Sequence, residues 1–529
     1  MRRRTFLAAS AAALATPLGA PSIGRAAGAR VLKFIPQSDV TILDPIWTTA
    51  YVTRNHGFML FDTLYGVDAS FAAQPQMVAG HTTENDGKLW KLTLREGLKF
   101  HDGQPVLARD CVASIKRWGA RDPFGQTLLA FTDELSAGDD KTIVFRLKQP
   151  FPLLPDALGK PGSNFCAIMP ERLANTDPFK AITEMVGSGP FTFKADERVV
   201  GSRAVYERNA AYVPRAGGTP DWTAGPKIVN FDRVEWHVIP DYSTAAAAMQ
   251  SGEMDWWENP TIDLLPVLRS AKVTVVTTDP TGLIGCMRLN ELWPPFDNPA
   301  IRRALLKAVS QQDYMIAVSG TNPANWHVPT GIFCPGTPMA SDVGLDVFTG
   351  PRDDAAVQQE IVAAGYKGEK VVVLAPTDLP ILKATADVGA DVLRKAGFNV
   401  DYQAMDWGTV VQRRAKMDAP DKGGWNVFHT FWSGLDQSNP IGHVFLRGNG
   451  KQGMMGWPSS PKIEALRSEW IAAPDLAAQQ KLAQDLQRQA LIDVPYVPLG
   501  QTFAPTAYQK DIAGVLHGFV IFWNVQRTA

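Results

Sequence analysis

Cysteine is scarce. Four residues in a chain of 529 cannot knit a fold of this length, and the separations among Cys111, Cys166, Cys286 and Cys334 specify no pairing and no metal set. They could pair in an oxidising compartment, or stand as buried free thiols. Charge of one sign is lacking as well. With 52 Lys and Arg against 53 Asp and Glu the formal net charge is -1, so no global basic field exists to hold nucleic acid or anionic lipid. Beyond the N-terminal region no segment approaches the ~18 uncharged apolar residues of a membrane-spanning helix. H-E-x-x-H, C-x-x-C, G-x-S-x-G and the P-loop are all missing, and the eight His include no i, i+4 pair that would clasp a metal. Catalysis receives no sequence support, and no cofactor is expected.

What is present suits large packed cores: 45% hydrophobic and 20% charged residues, in a length of roughly two to four domains. The first residues stand apart. Arg2, Arg3 and Arg4 precede Thr5, Phe6 and Leu7, and a weakly apolar Ala8 to Ala15 follows. This reads as an export leader over residues 1–29, ending at an Ala27-Gly28-Ala29 cleavage pattern. Its paired arginines resemble the twin-arginine signal, with an ordinary secretory signal as the alternative. Without the leader the protein loses Arg2, Arg3, Arg4 and Arg25 but no acid, and becomes mildly acidic. No Cys follows the apolar run, so no lipid anchor is expected.

Strands and helices then interleave. Val31 to Ile35 is a strand-like run, while Trp90 to Leu94 and Val144 to Leu147 alternate with period two. Asp241 can cap a helix over Tyr242 to Gln250 stopped near Gly252, Asn298 and Pro299 open another, and Pro474-Asp475 open a long one that closes at Val494-Pro495. Val371 to Leu374, Leu382 to Arg394 and Asn399 to Gln403 form one predicted βαβ unit. Two stretches, Ala210 to Lys227 and Trp326 to Pro351, lack any period, and the second is long for a structureless loop. Gly448, Gly450 and Gly453 have dinucleotide-binding spacing, but Met454 to Pro458 stand where a helix would have to start, so the motif is discounted.

Aromatic residues in polar, Gly-rich settings are more informative. Trp407-Gly408, Trp425, Phe431-Trp432-Ser433-Gly434 and Trp457 can wall a ligand cavity or pack in a core. The stretch from Trp425 to Pro440, which carries one carboxylate, is where the two readings balance.

Several blocks together resemble the dipeptide/oligopeptide-type periplasmic solute-binding proteins of ABC importers. They are Asn85 to Gly103, Asp110 to Arg117, Gly187 to Phe191, Pro240 to Asp255, and Pro295 to Ala304, in the order in which that family carries them. Each also has a local reading. Asp86-Gly87 is a hairpin turn, and His101-Asp102-Gly103 is a second turn that makes His101 structural.

The resemblance implies an α/β fold of two lobes with an extra subdomain in lobe one. Lobe one would span 30–278, with the subdomain at about 65–182, lobe two 279–501, and a return to lobe one 502–529. It implies a monomeric, non-enzymatic periplasmic receptor that captures a peptide or amino-bearing small solute and delivers it to an ABC permease with its ATPase subunits. The alternative is an exported carrier of a metal chelate or haem, or a cofactor-dependent enzyme on the same fold. Carried over residue by residue, the resemblance points to Trp407, to Asp436 as partner of a ligand amine, to Trp432, and in lobe one to Thr49 and Tyr51. Where dipeptide binders place an Arg for the ligand carboxylate and a Tyr two residues on, this chain has Pro376 and Asp378.

Overall fold

The run Val31–Ile35 alternates between strand partners on both sides, so its Leu32 and Phe34 are fully buried at the middle of a sheet. In the computed structural model, which describes residues 30–269 and 271–528, that sheet has seven strands. Their spatial order is Val273–Val276, Thr506–Gln509, Trp256–Trp257, Val31–Ile35, Arg233–His237, Arg203–Arg208 and Phe191–Phe193. Val31–Ile35 pairs in parallel with both neighbours. The helix Tyr242–Ser251 covers this sheet; Asp241 caps it through a 2.7 Å bond from the Thr244 N–H, and Gly252 ends it in the left-handed region.

A second sheet holds six strands in the order Trp326–His327, Val497–Thr502, Leu283–Leu289, Val427–Ser433, Lys370–Pro376 and Asn399–Met405. Its last two strands are parallel, joined over the helix Pro380–Lys395, as the βαβ reading expects. Asn298 and Asp475 cap the helices Pro299–Ala308 and Leu476–Asp493. Between the two sheets the chain passes twice, over residues 277–282 and again over 503–505.

A third sheet of four strands, Val78–Glu84, Leu89–Leu94, Thr142–Leu147 and Thr132–Ala137, is inserted within the first body. Its first hairpin turns at Asn85, Asp86 and Gly87, all at positive φ, a conformation those residue types tolerate. His101 is a clasp. It accepts the Gly187 N–H and faces the Gly189 carbonyl at 3.2 Å each, and burial holds its pKa down at about 4.

The unpatterned stretch 326–351 is ordered from its flanks. Gln311 accepts the Thr330 N–H, Gln487 accepts the Ile332 N–H and donates to the Ser341 and Val343 carbonyls, and Ile332, Phe333 and Cys334 are buried. Beyond the two-residue strand Trp326–His327, polar side chains stand in for a backbone ladder. After Gly453 no helix begins until Pro461, so the glycine triplet has no helix to point at a phosphate. All four cysteines are buried and free. Among the described residues no helix is long and apolar enough to cross a membrane. The expected leader, residues 1–29, lies outside the described residues.

Candidate functional site

The strand Val427–Ser433 ends against the first body and turns through Leu435–Gln437. That turn sets Asp436 where the two bodies touch. Its side chain is not an exposed turn residue: Asp436 is only 7% exposed. One carboxylate oxygen lies against Gly162, where an added Cβ would stand 2.2 Å from it. The other has no hydrogen-bond partner among the described residues. Burial pushes this carboxyl up from its ordinary value, Lys160 and Arg54 pull it back, and Asp122 adds to the rise.

Lys160 is itself committed. Its ammonium pairs with Asp122 and donates to the Ser163 carbonyl at 2.7 Å, and Asp122 is held in turn as the N-cap of the helix Pro123–Phe131. A cavity of about 70 Å³, lined from both bodies by Phe71, Phe124, Asp156, Lys160, Leu435 and Asp436 among others, opens here.

A second cavity, of about 100 Å³, lies beside it at the level of the two chain passages, with Tyr51, Arg54, Glu258, Asp279, Ser433 and Phe519 on its wall. Tyr51 begins the helix Tyr51–Leu60, and its hydroxyl oxygen accepts the Ser433 N–H at 2.9 Å. Desolvation, then the nearby Asp436, push its phenol well above the usual range. Arg54 lies one turn on, its guanidinium 3.9 Å from the Phe519 ring centre and donating to the Asn55 side-chain Oδ1. Glu258 is satisfied by Gln37 and Asn55.

Of the five residues expected from the sequence, Tyr51 and Asp436 line these cavities, and Trp432 and Thr49 lie behind them. Trp432 stacks obliquely on Phe445, ring centres 5.3 Å apart, and its indole N–H is buried without a partner among the described residues. Thr49 is exposed and joins through its backbone, its carbonyl accepting the Ser163 hydroxyl at 3.0 Å. Trp407 lies elsewhere. It opens the helix Trp407–Arg414, packs with the cluster of Trp425, Phe428 and Trp457, and carries Arg414 over its ring at 4.9 Å.

Asp378, noted above as a departure from the dipeptide binders, accepts the Trp407 N–H at 2.8 Å, so this acid holds a helix start. Arg54, Lys160, Gly162 and Asp156 went unnoticed in the sequence. The Lys160-Pro161-Gly162 turn was the one available signal.

Two α/β bodies closing small, polar-cornered cavities between them suit the capture of a solute rather than its conversion. Residues 72–446 match the family described as bacterial extracellular solute-binding proteins, family 5 Middle. The chain belongs to this family.

Named relatives align along 90% or more of its length. The "Probable peptide ABC transporter periplasmic-binding protein y4tO" of Sinorhizobium fredii is 36% identical over 534 residues, covering 99% of each chain. The glutathione-binding protein GsiB of Pectobacterium atrosepticum is 25% identical over 499 residues and 90% of each. Among solved structures, the periplasmic binding protein DppA from Helicobacter pylori, in complex with the peptide STSA, superposes with a TM-score of 0.77. It covers 94% of this chain and 98% of its own at 20% identity, a likeness of fold. The fold is therefore that of the two-lobed family 5 binding proteins. This family 5 member is a solute-binding protein of an ABC importer and not an enzyme.

Proposed function

We propose that this protein is a periplasmic receptor for a peptide or similar amino-bearing solute, which it encloses between its lobes and hands to a permease driven by ATPase subunits. It acts as a monomer and reaches the periplasm through the twin-arginine-type leader at residues 1–29. The passages at 277–282 and 503–505 support a first lobe of about 30–278 and 502–529, with the subdomain at about 65–182, and a second of 279–501. Relatives named for peptide and glutathione binding support the ligand class.

The observation that carries the reading is Asp436, buried between the lobes with one oxygen unpaired. A buried carboxylate oxygen without a donor is costly once the lobes close, and a ligand ammonium relieves that cost. Tyr51, on the wall of the neighbouring cavity, would orient the rest of the solute, with Trp432 and Thr49 next to it in support, while Trp407 is packed elsewhere in lobe two. A ligand that binds only when both lobes contact it supplies the differential affinity that favours closure.

Calorimetry with alanyl-alanine and its N-acetylated form tests the reading. Binding of the free amine with loss on acetylation is expected. Equal binding of both would remove the amine from the recognition scheme. Native mass spectrometry of protein taken directly from the periplasm identifies the natural solute.

A further inference from the structure

Two carboxylates, not one, face the cavity of about 70 Å³ between the lobes: Asp436 from the second lobe and Asp156 from the short helix Leu154–Gly159 of the first. Lys160 lies on the same wall. Its field reaches Asp436, but it bonds to neither carboxylate, because its ammonium is held by Asp122 and the Ser163 carbonyl. Arg54, the other base whose field reaches Asp436, sits over Phe519 with Asp279 and Glu258 around it.

Among the described residues Asp156 has no ion-pair partner and no bond from another side chain; burial raises its carboxyl to about 6, against a smaller pull from its own backbone N–H. Asp436 adds an unpartnered oxygen that is itself more than nine-tenths buried. Much of the rest of the wall is apolar, from Val67, Phe71, Phe124, Pro161 and Leu435, with Ser438 and Asn439 as its neutral polar members. An enclosure with two carboxylates, neither in an ion pair among the described residues, and hydrocarbon beside them matches a cationic group carried on an aliphatic stem.

We infer that Asp156 is a second cation-recognising carboxylate of the cleft, and that the solute bears, besides the amine met by Asp436, a further ammonium or guanidinium on a short alkyl chain, as in a peptide that begins with lysine or arginine. This rests on the peptide reading above and narrows it.

Calorimetry of the full exported protein with lysyl-alanine and norleucyl-alanine tests the inference. The two peptides share the four-carbon side chain and differ in its terminal ammonium. The wild-type protein should bind lysyl-alanine about tenfold or more tightly. In Asp156→Asn that ratio should fall to near one, whereas in Asp436→Asn both peptides should weaken together. Equal affinities for the two peptides in the wild type would overturn the role of Asp156 and leave the peptide reading standing. A preference that survives in Asp156→Asn would do the same. Failure of both peptides to bind the wild type would overturn the peptide reading, and this inference with it. The wild-type comparison needs no variant, so it holds even where Asp156→Asn does not fold.

Discussion

The hydroxyl of Tyr51 accepts the backbone N–H of Ser433 at 2.9 Å, a single bond that joins the first helix of one lobe to the end of a strand of the other. The two residues are separated by 382 positions, so this bond forms only when the lobes approach. Tyr51→Phe leaves the Ser433 N–H buried without its acceptor, at a cost of about 1–3 kcal/mol to the closed form. Ligand affinity should fall by a matching amount while the ligand-free melting temperature stays nearly unchanged, as read by calorimetry of each form.

Asp436→Asn keeps the shape of the site and removes its charge. Truncating one side of a buried charge pair costs about 2–5 kcal/mol, so affinity for an amine-bearing ligand should drop by more than tenfold. Unchanged binding enthalpy and affinity in titration calorimetry would take Asp436 out of ligand contact.

Gly162 is required for a reason of space. An added Cβ would stand 2.2 Å from the Asp436 carboxylate, so that carboxylate would have to turn away from its place in the cavity. Gly162→Ala should therefore weaken binding of an amine-bearing ligand without preventing folding. Titration calorimetry of the variant, beside its thermal unfolding, is the check.

Three buried imidazoles make stability fall in acid. Burial holds His56, His429 and His443 each at about 3, against about 6.5 in the unfolded chain. The folded rings stay neutral while the unfolded ones take up protons. Stability is thus complete above about 6.5 and is lost progressively as pH falls towards 3, by about 2 kcal/mol per ring at pH 5. Denaturant unfolding at pH 7 and pH 5 measures the slope. His429→Leu, which removes a ring whose nitrogens have no partners among the described residues, should reduce it.

Asp156 titrates in the opposite sense. Its folded value of about 6 lies above the ordinary 3.8, so its contribution is favourable below about 3.8 and is lost as pH rises through about 6. Asp156→Asn should stabilise the ligand-free protein by about 1–3 kcal/mol at pH 7.5, with the gain vanishing at pH 4. Equilibrium unfolding at the two pH values is the check.

Much of the local architecture was legible because it is written in short-range chemistry. Asp241, Asn298 and Asp475 cap the helices their spacing predicts, and the βαβ unit follows from apolar runs bounded by polar turns. The stretch 326–351 was not legible, since Gln311 and Gln487 satisfy its backbone from distant helices. Trp407 shows the limit of analogy at a single residue: a Trp beside Gly reads equally as cavity wall or packing, and here it packs with Trp425 and Phe428.

Sequence alone determined the element types, their capping and the absence of catalytic motifs, because these depend on neighbours within a few positions. Tertiary structure decided that Asp436 is buried, that Lys160 is already paired with Asp122, and that Asp156 shares a cavity with a residue 280 positions away. Burial and charge compensation are properties of three-dimensional proximity, and residues from different lobes carry no local mark of the partner they will meet.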